Sequence, residues 1–142
     1  MSQAALITGI LAKLTGDATF SAAVGARIYE TLPHEPTFPL CLIEVESDEP
    51  FNTFGKQHID ADFTVTIQGD LESGRRTLQT TNTLLLALLE GASLTISGHS
   101  GATCWCLDRG RSEQEDLDGG AVAIQDTYPR IVTRWHVFAT QN

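Results

Sequence analysis

Gly25-Ala26-Arg27-Ile28-Tyr29-Glu30-Thr31-Leu32-Pro33 separates two kinds of sequence, and its reading decides the fold class. Helical periodicity lies before it and strand patterning after it. Upstream, Ile7, Ile10, Leu11 and Leu14 recur at helical spacing between Ala4 and Leu14, with Leu6 widening the stripe. Thr15-Gly16-Asp17 then reads as a stop and a new start. Gly16 closes the first helix, and Asp17 caps a short second one that carries Phe20 and Val24 and ends near Gly25. The two pieces predict a bent helical hairpin lying on a sheet.

Downstream, Pro33, Pro36 and Pro39 exclude helix and withhold backbone donors, so that segment is extended or looped. Leu40 to Glu46 follows as a nearly continuous apolar run, the pattern of a strand covered on both faces or touching a neighbouring subunit. Ser47 to Gln57 reads as a polar loop holding two aromatics, Phe51 and Phe54. From Ile59 to Gln68, Ile59, Ala61, Phe63, Val65 and Ile67 alternate with Asp60, Asp62, Thr64, Thr66 and Gln68. Strict period two predicts a strand with one buried and one wet face.

Ser73 is placed to cap a helix from about Gly74 to Glu90, with Leu78, Leu85, Leu88 and Leu89 as its core stripe and Gly91 as its stop. Two long strands are expected after it, Thr103 to Arg111 and Val122 to Ala139, the second interrupted at Pro129. The acidic residues 112–120 form the hairpin tip between them. The expectation is an α+β fold. A mainly antiparallel four- to five-stranded sheet is packed by an N-terminal helical hairpin and one longer helix, in a single domain spanning residues 1–142.

Composition narrows the function. A chain of 142 residues with 42% hydrophobic residues builds a substantial core, burying roughly two-thirds of its unfolded surface. A net charge of −9 argues against general affinity for nucleic-acid backbone and for anionic lipid. The N-terminal stretch has no basic region and its apolar run is broken by Lys13, unlike a secretory signal; no apolar run spans a bilayer. Three cysteines, two of them only two residues apart, suit a reducing cytoplasm better than a disulfide framework.

The residues capable of chemistry have simpler explanations. His58, Asp60 and Asp62 share a strand face, and adjacent carboxylates at that spacing could share a divalent ion in a metal-dependent hydrolase. Strand positions four apart are ~13 Å from each other, however, so His58 and Asp62 cannot bind one ion, and a solvated strand face is preferred. Cys104-Trp105-Cys106, with His99 nearby and Cys41 elsewhere, lacks the paired C-x₂₋₄-C spacing of zinc sites; half-buried strand thiols fit better. Trp105 faces opposite those thiols as a core or interface aromatic. Ser97-Gly98-His99-Ser100-Gly101 lacks the strand–turn–helix setting that presents a nucleophile. No catalytic residue, metal ligand or cofactor site is assigned.

Surface that binds partners is the more informative feature. Phe51 and Phe54 either fold back onto the core or anchor another subunit. The 112–120 tip carries four acids, with Arg109 and Arg111 just before it, and is either solvated or docks electrostatically on a basic ring.

The order of these parts resembles the phage tail-completion family, whose members are also called tail terminators or tail-to-head joining proteins. The likeness runs from about Ala4 to Ala139. It comprises the opening amphipathic helix and the Asp17–Gly25 helix with Gly25-x-Arg27-Ile28-Tyr29 leading to Pro33. The Pro39–Val45 strand, the alternating strand ending at Ile67, the helix through Leu89 and the Arg130-Ile131-Val132-Thr133-Arg134-Trp135 strand complete it. The Gly-x-Arg-Ile-Tyr segment with its downstream proline is the most specific piece, and Cys104-x-Cys106 is not a feature of that family.

The resemblance implies a non-enzymatic structural protein of the virion tail, assembled in the host cytoplasm. It implies a homo-oligomeric ring, expected to be a hexamer, on the head-proximal end of the tail tube. Its expected partners are further copies of itself, the major tail tube protein and a head–tail connector, with no cofactor, no membrane and no sequence-specific nucleic acid. The subunit contacts are assigned by composition to the 47–57 loop (Phe51, Phe54, Lys56) and to the 108–120 tip. The tip contributes Arg109, Arg111, Glu113, Glu115, Asp116 and Asp118, with Asp60 and Asp62 as an acidic lining. The alternatives are a head-completion or connector protein of the same particle and the hydrolase using Asp60 and Asp62.

Overall fold

The computed structural model describes residues 2–31, 34, 37–48, 51–53, 56–69, 74–116 and 127–141. Helices α1 (Ser2–Thr15) and α2 (Ala18–Ala23) precede strand β1 (Ile28–Tyr29). Strands β2 (Leu40–Asp48), β3 (Phe51–Thr53) and β4 (Lys56–Gln68) lead to helix α3 (Gly74–Leu89), and β5 (His99–Asp116) and β6 (Thr127–Gln141) close the order. The main sheet runs β1-β2-β4-β6-β5. Every neighbouring pair is antiparallel except β1–β2, and β3 pairs with the start of β4. This is the expected α+β fold.

The helices cover one face of the sheet. From α1 come Leu6, Ile10 and Leu14, from α2 and its C-cap Phe20 and Val24, and from α3 Leu78, Leu85 and Leu89. Against them lie Ile43, Phe63, Val65, Ile67, Trp135 and Val137 of the strands. Residues four apart stack on one helix face, so Leu6, Ile10 and Leu14 form the α1 seam, while Ile7 and Leu11 flank it half-buried. Asp17 caps α2 as expected, its carboxylate accepting from the Phe20 N–H at 2.9 Å.

The stretch after α2 is ordered by its own chemistry. Gly25 and Ala26 both adopt positive φ, 63° and 59°. A Cβ on Gly25 would lie 2.7 Å from the Arg27 guanidinium, which folds back over it. Arg27 donates to the carbonyls of Pro39 at 2.8 Å and Phe38 at 3.3 Å, and its own carbonyl accepts from the Cys41 N–H at 2.8 Å. Ile28 and Tyr29 are thereby laid parallel beside Cys41 and Leu42 as β1. Two residues are too few to show periodicity, so this strand was invisible in the sequence.

Three boundaries differ from expectation. The described residues within 47–57 are strand and not loop: β2 continues through Asp48, and Phe51, Asn52 and Thr53 pair with His58, Gln57 and Lys56. The last hairpin extends further, with Ser112–Asp116 of the predicted acidic tip paired to residues 127–131. Pro129 does not break β6; it sits opposite Gln114 within the ladder. Polar composition had suggested loops, but pairing in a two-stranded ribbon tolerates polar side chains on both faces.

A candidate interaction surface on the open face of the sheet

Among the described residues no helix lies over the other face of the sheet, and strand alternation determines what it presents. Asp60 and Asp62 point there from β4, His136 and Arg134 from β6, and Trp105 from β5. In the ladder Asp62 lies opposite His136, and His136 opposite Trp105. His136 contacts Asp62 Oδ1 through Nδ1 at 2.6 Å and Asp60 Oδ1 through Nε2 at 2.8 Å. Arg134 contacts Asp62 Oδ2 at 3.1 Å and reaches Glu46 Oε2 on β2 through Nε at 2.8 Å. The Trp105 ring sits 5.6 Å from that of His136, tilted by 39°.

This network spans four strands. Arg134 is 51% exposed and the Glu46 carboxylate also meets solvent, so the pairs order the surface more than they hold the fold. On β5, Trp105 and Leu107 stay 42% and 50% exposed, the exposed large apolar residues among those described. A second feature, a cleft of about 440 Å³, opens where Glu30, Leu42, Glu44, Thr66, Gln68 and Arg130 meet.

The expected site residues separate. Asp60 and Asp62 share the open face, but His136 and Arg134 engage them, so the face is a mixed ion-pair network and not a bare acidic lining. The same contacts occupy the carboxylates that the hydrolase reading required. Arg109 is exposed on β5 in a bulged stretch, its carbonyl accepting from Asn82 Nδ2 of α3 at 3.1 Å. Phe51 pairs through its backbone with His58, and Lys56 with Thr53. Arg111, Glu113, Glu115 and Asp116 are backbone-paired to Val132, Arg130, Tyr128 and Thr127. The side chains of these six residues, and Phe54 and Asp118 entirely, lie outside the described residues. Sequence reasoning missed His136 and Arg134 as partners of Asp62, and Glu46 as a partner of Arg134. Strand alternation gave their faces, but only the β4–β6 register brings them together.

The thiols have structural occupations. Burial pushes Cys41 up to about 12 and Cys104 to about 11, and raises Cys106 as well, so all favour the protonated form that binds metal poorly. Cys104 Sγ donates to the Leu89 carbonyl at 3.0 Å, and His99 Nδ1 lies 3.0 Å from the Ser97 carbonyl. Among the described residues no group of three or more His, Cys, Asp or Glu side chains gathers in a metal-holding arrangement.

The family model described as tail completion protein gp17 matches residues 8–126. The chain belongs to that tail-completion family. Membership makes it a structural protein of phage tails. A solved chain from the virion of a native gene transfer agent particle is similar to this tail-completion chain, with a TM-score of 0.73 at 20% identity, covering 98% of this chain and 97% of that one. A second solved chain has a TM-score of 0.55 at 14% identity over 96% of each. At these identities the likeness concerns the fold. No curated protein matches.

Proposed function

We propose that this tail-completion chain is the subunit of a ring, a hexamer, that caps the head-proximal end of the tail tube. The ring stops tube elongation and offers the head connector a surface to join. It acts by shape and carries out no reaction. Its partners are further copies of itself, the major tail tube protein and the connector, and it resides in the virion tail after assembly in the host cytoplasm. The observation that carries the reading is the uncovered sheet face, with Trp105 and Leu107 exposed beside an ordered charge network, in a chain of the tail-completion family. Aromatic anchors ringed by charge are what an assembling subunit presents. The further contacts are the strand ends at Phe51–Thr53 with Lys56–His58 and the 108–116 stretch of β5, of which Gln114–Asp116 extend past the β4 ladder and the rest form the sheet's edge.

Negative-stain micrographs of the purified protein, alone and mixed with tail tubes, test this. Closed rings, or caps at one tube end, are expected. A protein that stays monomeric and leaves both ends bare contradicts it, and rings that label only the connector side favour a head-completion role.

A further inference from the structure

We propose that the β5 edge of one copy pairs through its backbone with the β1 edge of the next, Ser112 opposite Ile28 and Arg111 opposite Tyr29, joining the sheets of the ring into one. The inference rests on the ring reading and deepens it by naming the two edges that meet.

Register provides the first argument. Strands β1 and β5 are the two ends of the main sheet. Ile28 lies opposite Cys41, Cys41 opposite Ile67, Ile67 opposite Ile131, and Ile131 opposite Ser112. The adjacent row runs Tyr29, Leu42, Thr66, Val132 and Arg111 in the same way. Two complete rows thus cross all five strands, and the ends of each stand at one height. Strand β1 is parallel to β2, while β2, β4, β6 and β5 alternate, so β1 and β5 run in opposite directions. A rotation about an axis along the strands sets β5 of one copy beside β1 of the next, antiparallel and at the same height.

Backbone direction provides the second argument. Successive residues of a strand turn their N–H and C=O to opposite sides. The Cys41 N–H goes to the Arg27 carbonyl at 2.8 Å, so Cys41 faces β1 and Ile28, between Arg27 and Tyr29, faces away from β2. Because Cys41 faces β1, Cys41 and Ile67 are a non-hydrogen-bonded pair. Ile67 and Ile131 are then a hydrogen-bonded pair, and Ile131 and Ser112 again a non-hydrogen-bonded one. Ser112 therefore aims its N–H and C=O out of the sheet edge, as Gln114 and Asp116 do along the same regular stretch. Pro129 agrees with this phase. It lacks an N–H and sits opposite Gln114, where a residue of β6 points its backbone groups away from β5. Ile28 and Ser112 thus present outward donors and acceptors at one height, which is what a hydrogen-bonded antiparallel pair requires.

The remainder of the β5 edge is already occupied. The Cys104 N–H goes to the Ala92 carbonyl at 3.0 Å, and the Cys104 and Ala102 carbonyls accept from Gly91 and Leu94, each at 2.9 Å. Register shifts follow between Cys106 and Arg111, where Asn82 holds the Arg109 carbonyl. Among the described residues no strand lies outside 112–116. A regular unpaired edge is a template for another chain's strand. Two different edges meeting make a heterologous contact, the kind that closes into a ring.

The test is disulfide trapping in the full chain. Positions 29 and 111 form a non-hydrogen-bonded pair in this contact, with Cα atoms about 4.5 Å apart, within disulfide reach. Tyr29→Cys and Arg111→Cys chains, mixed and oxidised during assembly with tail tubes, should cross-link into dimers, and a chain carrying both substitutions should give a ladder of larger oligomers. Either single variant alone should cross-link no more than the unmodified chain, which controls for Cys41, Cys104 and Cys106. Ser112→Pro removes an outward N–H without touching the β6 ladder, so it should keep its circular dichroism and weaken assembly by about tenfold or more. Rings or caps that form without the mixed cross-link, or a Ser112→Pro chain that unfolds or assembles normally, overturn this contact while leaving the ring reading intact. An unmodified chain that stays monomeric with and without tubes overturns both.

Discussion

Arg27 donates through Nε to the Pro39 carbonyl at 2.8 Å, and this bond ties the exit of the helical hairpin to the entry of β2. The same guanidinium covers Gly25, so the Gly-x-Arg-Ile-Tyr segment works as one device: a left-handed turn, a clamp on two carbonyls, and a short parallel strand.

Gly25→Ala should therefore destabilise the fold by about 1–3 kcal/mol, from a positive φ and a crowded Cβ. Arg27→Ala should cost a similar ~1–3 kcal/mol by removing the guanidinium donor from the half-buried Pro39 carbonyl. The double variant should lose less than the sum, because the Gly25 Cβ clashes with Arg27 itself. Urea denaturation of the three variants measures this.

A buried relay in the core makes a second prediction. Trp135 Nε1 donates to Thr133 Oγ1 at 2.8 Å, and Thr133 donates to the Val65 carbonyl at 3.1 Å, with Trp135 and Thr133 fully buried. Thr133→Val keeps the shape but strands the indole N–H, so a loss of about 1–3 kcal/mol is expected, whereas Thr133→Ser should retain most stability. Thermal melts of the two variants separate the hydrogen bond from the packing.

The buried thiols make stability depend on alkaline pH. Unfolded thiols titrate near 9, while burial holds Cys41 to about 12 and Cys104 to about 11. Between those values the folded state binds more protons than the unfolded one, so stability is intact below about pH 9 and falls as pH rises toward 11–12. Cys41→Ala should flatten part of that decline in denaturation curves measured from pH 8 to 11. In the native protein, iodoacetamide should modify Cys106 before Cys41 or Cys104, since Cys106 is only half-buried.

Asp60 and Asp62 should show no calorimetric heat with magnesium, manganese or zinc, because His136 and Arg134 already engage them. Stoichiometric binding abolished by Asp60→Ala would restore the hydrolase reading. Arg134→Ala should cost less than about 1 kcal/mol of fold stability, given its exposure.

Much of this fold is written in local pattern. The alternation from Ile59 to Ile67, the leucine stripe of α3 and the Asp17 cap each depend on residues close in sequence, and each appears where expected. What was not legible depends on distant pairing. The hairpin at 51–58 and the length of β5 arise because polar residues find ladder partners, which composition does not encode. The open-face network is of the same kind: Glu46, Asp62 and Arg134 are separated by up to 88 positions, and only the strand register joins them. Trp105 was readable to the extent that alternation set it opposite the thiols; its exposure was not, because it depends on α1, α2 and α3 packing on the other face.

The most direct test of the account is tube length. Purified tail tube protein should be polymerised with increasing amounts of this chain, and the tubes measured in micrographs. The account predicts tubes that shorten with dose and carry a ring at one end. Tubes of unchanged length, uncapped at every dose, would contradict it.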